Sequence, residues 1–115
     1  MNIEELRNYC LAKPMTTEEL PFDENTLVFK VAGKMYALTS LKNFQSINLK
    51  CDPEKALMLR EEYEQINPGF HMSKKHWNTV TVNGLKIVFI KELIDHSYNL
   101  VVSKFSKKQR LELGL

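Results

Sequence analysis

Residues 26–51 contain three short segments whose apolar side chains recur at every second position, a period that directs this part of the chain into an antiparallel sheet. In Thr26-Leu-Val-Phe-Lys-Val-Ala32, Leu27, Phe29 and Val31 fall on one side and Lys30 on the other. Gly33-Lys34 reads as a tight turn into a second strand, Met35 to Leu41. A third strand follows at Ser46 to Cys51, with Ile47, Leu49 and Cys51 inward and Ser46, Asn48 and Lys50 outward.

The segments around this sheet carry helix signals. Asn2 caps a helix from Ile3 to about Ala12, Glu4 and Glu5 suit its positive end, and Lys13-Pro14 stops it. Thr16-Thr17-Glu18-Glu19 reads as the cap of a short turn before Pro21. Asp52-Pro53-Glu54 opens a second helix to about Gln65, which buries Ala56, Leu59, Tyr63 and Ile66 before Asn67-Pro68-Gly69 ends it. Phe70 to Ser73 and Trp77 to Val82 read as two strands joined through Lys74-Lys75-His76. Ile90, Leu93, Ile94, Ser97, Tyr98 and Val101 recur at helical spacing in a last long helix. Residues 85–90 are short enough to read as strand or helix, and the spacing favours helix from about Ile87. The tail after Ser106 reads as a short basic helix. The expected order is α-β-β-β-α-β-β-α, an α+β fold with an antiparallel sheet of about five strands and helices packed on one face.

At 115 residues, 43% apolar and 26% charged, the chain fits one domain over residues 1–115. No stretch reaches the roughly 18 apolar residues of a membrane span, and Met1-Asn2-Ile3-Glu4-Glu5 lacks the layout of a secretory signal. Cys10 and Cys51 are too few and too far apart for a disulfide framework or a zinc site. The expectation is a cytoplasmic protein with two inert buried thiols, no cofactor and no bound metal.

Charge is segregated by segment. Residues 26–51 and 67–91 each contain four lysines and no acid, whereas residues 1–25 and 52–66 are net acidic. Lysine thus falls on the strand segments, and the outward strand residues of a sheet covered on one face would form a basic surface on the other. Lysine also keeps exposed strands from aggregating, and that reading stands beside the functional one.

Several segments resemble the MmcQ/YjbR family. Thr26-Leu-Val-Phe-Lys-Val, Lys34-Met-Tyr-Ala-Leu and Ile47-Asn-Leu-Lys-Cys-Asp-Pro-Glu match its first half. Pro68-Gly-Phe-His-Met-Ser-Lys-Lys-His-Trp-Asn-Thr-Val and Leu93-Ile-Asp-His-Ser-Tyr match its second. The resemblance implies a small bacterial protein whose fold is like that of secretion chaperones and of a double-wing DNA-binding arrangement. Two departures stand out. Ser73 replaces a frequent Asn, and Leu85-Lys-Ile-Val-Phe89 replaces an acidic, proline-containing turn.

The candidate interface is a nucleic-acid-binding surface. Lys74, Lys75, His76 and Asn78 would sit at a hairpin tip, with His71 beside them and Lys30, Asn48 and Lys50 on the same sheet face. Lysines would neutralise phosphates while Asn78 and His71 hydrogen-bond. Contact with four to six phosphates would give a log–log salt slope of about −4 to −5. Trp77 is read as core, because a lone large aromatic is usually buried. His71 and His76 without a nearby carboxylate or cysteine pair make a poor metal set. Asp95-His96-Ser97 spells the letters of a hydrolase relay, but successive helical residues diverge too far to act as one. No phosphate loop or nucleophile elbow is present, so the expected role is non-enzymatic binding of DNA. The alternative is a protein-interaction or chaperone-like module, including a homodimer, motivated by the apolar pair Val88 and Phe89 on the last helix.

Overall fold

The computed structural model describes residues 1–115. The elements are α1 (Ile3–Leu11), β1 (Thr16–Glu19), β2 (Thr26–Val31), β3 (Lys34–Ser40), β4 (Ser46–Lys50), α2 (Pro53–Glu62), β5 (Ile66–Pro68), β6 (Trp77–Thr81), α3 (Ile87–Ser103) and α4 (Lys107–Leu113). All six strands join one antiparallel sheet in the order β1-β2-β3-β4-β6-β5. One more strand is present than the sequence pattern gave. No helix is long and apolar enough to cross a membrane.

Local chemistry sets most boundaries. The Asn2 side chain accepts from the Glu5 amide at 2.8 Å while the Glu5 carboxylate accepts from the Asn2 amide at 3.2 Å, a reciprocal cap on α1. Asp52 accepts from the Lys55 amide and Pro53 occupies the first position of α2. The β2–β3 turn is Ala32-Gly33, one residue earlier than expected. Both residues have positive φ, 46° and 85°, the two-residue geometry that matches strand twist.

Three expectations are corrected. Thr16–Glu19 is an edge strand rather than a turn, because pairing with β2 satisfies its backbone and Pro21 falls just beyond it. Helix α2 stops at Glu62: Tyr63 is already extended, and Ile66 is buried as a strand residue, paired with Val80. Residues 70–73 do not form the strand partner of β6; Ile66–Pro68 takes that place, at an edge that tolerates proline. The turn 70–76 is therefore freed to cross the sheet's other face. Helix α3 begins at Ile87, after a turn at Gly84, and the basic tail forms α4, as the spacing indicated.

The main core lies between the sheet and the helices. Phe29, Tyr36, Ile47, Leu49, Val80, Ile90 and Ile94 pack there with Leu6 and Cys10 from α1. A register shift in β2–β3 puts Phe29 opposite Ala37 and Lys30 opposite Met35, so Tyr36 is the extra residue of a bulge. Its ring turns inward, meets Tyr98 edge-on at 5.2 Å, and its hydroxyl reaches Thr16 at 2.8 Å. Past the last β3–β4 pair, Ala37–Leu49, the ladder stops. There the buried Ser97 hydroxyl of α3 donates to the Tyr36 carbonyl at 2.6 Å and accepts from the Lys50 amide at 2.9 Å. A helix side chain thus stands in for a missing rung between two strands.

Candidate functional site

The sheet's second face is not bare. Val28, Leu38 and Trp77 form a small buried cluster on it, with Met35 and Met72 packed against them. Trp77 is core, as expected, but belongs to this minor cluster rather than the helix side. Two recesses flank the cluster.

The first recess, about 430 Å³, lies where β3 and β4 separate and is lined by Lys34, Met35, Lys50, Trp77, Val101, Lys104 and Phe105. Its three charged residues are all lysines. The second is a groove of about 510 Å³ near the middle of the face. Leu38, Asn48 and Thr79 line it from the strands, Phe22 from the β1–β2 loop, and Phe70, His71 and Met72 from the turn.

The expected interface residues do not all gather. Lys50 faces the lysine recess beside Trp77, its cross-strand partner. Lys74, Lys75 and His76 are exposed on the turn entering β6. That turn is not the tip of the hairpin first expected, since its preceding strand ends at Pro68. His71 lines the groove, with φ of 59° and its ring 4.1 Å from that of Phe70. Asn48 lies on the groove floor, accepting from the Thr79 hydroxyl at 2.6 Å and donating to the Phe70 carbonyl at 3.2 Å. Lys30 is half-buried on β2, one strand in from the edge, with its ammonium 3.3 Å from Glu19. The Thr17 hydroxyl and then Lys30 hold the Glu19 carboxyl below its usual range.

Asn78 belongs on the helix side and is 2% exposed. Its side-chain oxygen accepts from Arg60 Nε at 2.7 Å. The same guanidinium donates to the carbonyls of Lys74 and Trp77, so Arg60 ties the lysine turn to α2. Asn78 is thus held inside the fold rather than on the expected interface. Among the other strand-segment lysines, Lys34 joins Lys50, whereas Lys42 follows the opposite end of β3, Lys86 precedes α3, and Lys91 lies over the Tyr9 ring. Convergence is real but partial, and its third member, Lys104, comes from the end of α3.

Asp95, His96 and Ser97 serve three different neighbours. Asp95 accepts from the Tyr9 hydroxyl and from Lys13. His96 Nε2 accepts from the Asp52 amide at 3.1 Å, and Ser97 bridges the strands. Burial, then the charge of Lys55, lowers the His96 pKa. Both thiols are buried and free; burial pushes Cys10 up to about 12 and raises Cys51. No cluster of three or more His, Cys, Asp or Glu side chains has the proximity to hold a metal ion.

The arrangement defines a class first: a one-sheet α+β domain with helices on one side, a grooved second face, and a lysine-lined opening between β3 and β4. The YjbR family profile matches residues 11–100, and the chain belongs to the YjbR family. It is 37% identical to YbdF of Escherichia coli O157:H7 over 109 residues, covering 93% of this chain and 89% of that protein. It is 33% identical to YjbR of Escherichia coli K12 over 112 residues, covering 96% and 95%. A crystal structure of a Deinococcus radiodurans protein with a DUF419 domain superposes with a TM-score of 0.94 at 43% identity, over 99% of this chain and 88% of that one. A Pseudomonas syringae crystal structure superposes with a TM-score of 0.73 at 30% identity, over 87% and 98%.

Proposed function

We propose that this protein binds nucleic acid weakly, with phosphates seated on Lys34, Lys50 and Lys104. The observation that carries this reading is the recess between the separated strands, where three lysines from β3, β4 and α3 line one concavity and no carboxylate joins them. Anions gain from such a site because cations in a concave, partly apolar wall focus the field. Lys74 and Lys75, exposed on the turn that leads to Trp77, extend the basic surface. Single strands suit it better than duplex, since the turn 70–76 and Phe22 leave a broken, grooved surface.

The test is a fluorescence-anisotropy titration of a labelled single strand and of a duplex at low salt. Three phosphate contacts on a single strand give a log–log salt slope of about −2, shallower than the sequence pattern alone suggested. Lys50→Glu with Lys104→Glu should abolish that slope and most of the affinity. Binding unaffected by salt and by both substitutions refutes the reading, and duplex bound more tightly than single strand refutes the strand preference.

A second reading, association with another protein chain, is favoured by Leu57 and Met58 on α2 and Val88 on α3, which are 59%, 66% and 69% exposed. Phe89 is not part of that surface: its ring packs on Tyr63 at 4.8 Å. Sedimentation velocity at high concentration distinguishes a monomer from a homodimer.

A further inference from the structure

Phe70 is the feature that the lysine recess does not explain. The residue is 68% exposed, yet its backbone is held at both ends. The Phe70 amide donates to the Thr79 hydroxyl at 2.8 Å, its carbonyl accepts from Asn48 at 3.2 Å, and Asn48 and Thr79 bond each other at 2.6 Å. On its N-terminal side the Gly69 amide donates to the Trp77 carbonyl at 2.8 Å, so close to β6 that the chain has no room for a Cβ there. A ring on so fixed a backbone is presented to solvent rather than left there by a loose loop. Phe22, 63% exposed, also lines this groove.

The groove's chemistry specifies what would fill it. No Asp, Glu, Lys or Arg lines it, so its occupant is an uncharged group. Two phenyl rings on its wall favour a flat one. The hydroxyls of Ser40 and Ser46 and the imidazole of His71 supply donors and acceptors for its edge. The adjoining recess has the opposite character. Asn48 on the groove floor and Lys50 in the lysine recess lie two residues apart on one face of β4, a distance of about 6.6 Å. A neutral planar subsite beside a cationic one matches a molecule that is itself a neutral ring joined to an anion.

We infer that the groove takes one unpaired nucleobase, stacked on Phe70 and bounded by Phe22, of a strand whose neighbouring phosphate lies on Lys50. The inference rests on the nucleic-acid reading above and adds the base subsite to it. A duplex keeps its bases stacked inside, so the subsite accounts for a preference for single strands. Stacking on a phenyl face is tolerant of sequence, and all four bases should enter with similar affinity.

The experiment compares a short oligothymidylate with an abasic oligomer of the same length and charge, by anisotropy at low salt. The abasic strand should bind roughly 5- to 150-fold more weakly, the range of one aromatic–base stack. Phe70→Ala should lose the same factor on the thymidylate and nothing on the abasic strand. Phe70→Trp should keep the affinity, and Phe70→Leu, which retains apolar area without a ring, should not. Because the ring is exposed, these variants should melt near the parent, which thermal unfolding checks. Phe70→Ala binding thymidylate as the parent does overturns the base subsite; if Lys50→Glu still weakens both strands, the phosphate reading stands alone. Dependence on Phe70 without dependence on Lys50, Lys104 or salt supports the base subsite and overturns the phosphate reading. Absence of binding to either strand overturns both.

Discussion

Gly69→Ala should unfasten the edge of the sheet at a single methyl group. A Cβ built at Gly69 falls 2.7 Å from Trp77 Cβ and 2.9 Å from the Trp77 carbonyl oxygen. Both neighbours are fixed: Trp77 begins β6 opposite Lys50, and its ring is buried against Val28 and Leu38. Neither can retreat as a flexible side chain would. The strand must move, with an overpacking cost of about 1–3 kcal/mol. The Gly69–Trp77 backbone bond at 2.8 Å is strained or lost as well, which adds about 1 kcal/mol. A total of about 2–4 kcal/mol is a large part of the stability of a domain this size and corresponds to a drop in Tm of about 8–16 °C. Trp77, the only tryptophan, reports the transition directly by fluorescence in a urea or thermal melt. Gly33→Ala is the control, since at φ of 85° nothing lies within 4 Å of its Cβ and only left-handed backbone strain, about 1–2 kcal/mol, is at issue. A Gly69→Ala protein that melts within about 2 °C of the parent would refute the claim that close approach to Trp77 is what requires glycine there.

Arg60→Ala strands the buried Asn78 oxygen and frees the carbonyls of Lys74 and Trp77; it should destabilise by about 2–3 kcal/mol and speed amide exchange over residues 74–78. Ala32→Asn relieves a left-handed alanine, φ 46°, by installing the Asn-Gly pair that such turns favour, and should stabilise by about 0.5–1 kcal/mol in a urea melt. His96 has a lowered folded pKa, because burial and then the charge of Lys55 disfavour its protonated form, and the neutral ring accepts the Asp52 amide. The stability it contributes is therefore complete above its unfolded value of 6.5 and declines as pH falls through the lower folded value. Urea midpoints measured at about pH 7.5 and about pH 5.5 should differ less in His96→Gln than in the parent.

Sequence pattern revealed the elements whose signals are local. Strands β2 to β4 alternate cleanly, α1 and α2 carry capping residues, and α3 repeats its apolar residues at helical spacing. β1 was hidden because four residues with two acids form a strand only when β2 supplies partners and Arg7 and Lys30 neutralise Glu18 and Glu19. β5 is masked because Pro68 looks like a terminator, whereas an edge position leaves its missing donor harmless. Alternation failed at Trp77 and Asn78, adjacent residues that are both buried, because the turn covers one face there and α2 supplies Arg60 to the other. The candidate site was half visible. Strand phase and family resemblance point to Lys50, Asn48 and His71. Lys104 and Lys34 lie 70 residues apart in sequence and meet only through the docking of α3. Phe22 and Phe70 read as ordinary apolar residues, since nothing local distinguishes an aromatic held outward from one bound for the core.

The hydroxyl of Ser97 has a consequence beyond the two strands it joins. By supplying from above the rung that is missing beyond the Ala37–Leu49 pair, it lets β3 and β4 diverge without leaving an amide and a carbonyl orphaned in the interior. The opening so created is a window in the sheet, with Val101 and Phe105 as its back wall and lysines at its sill. Anything lodged in that window rests on both layers of the molecule at once, and its arrival would be felt along the long helix as directly as in the strands.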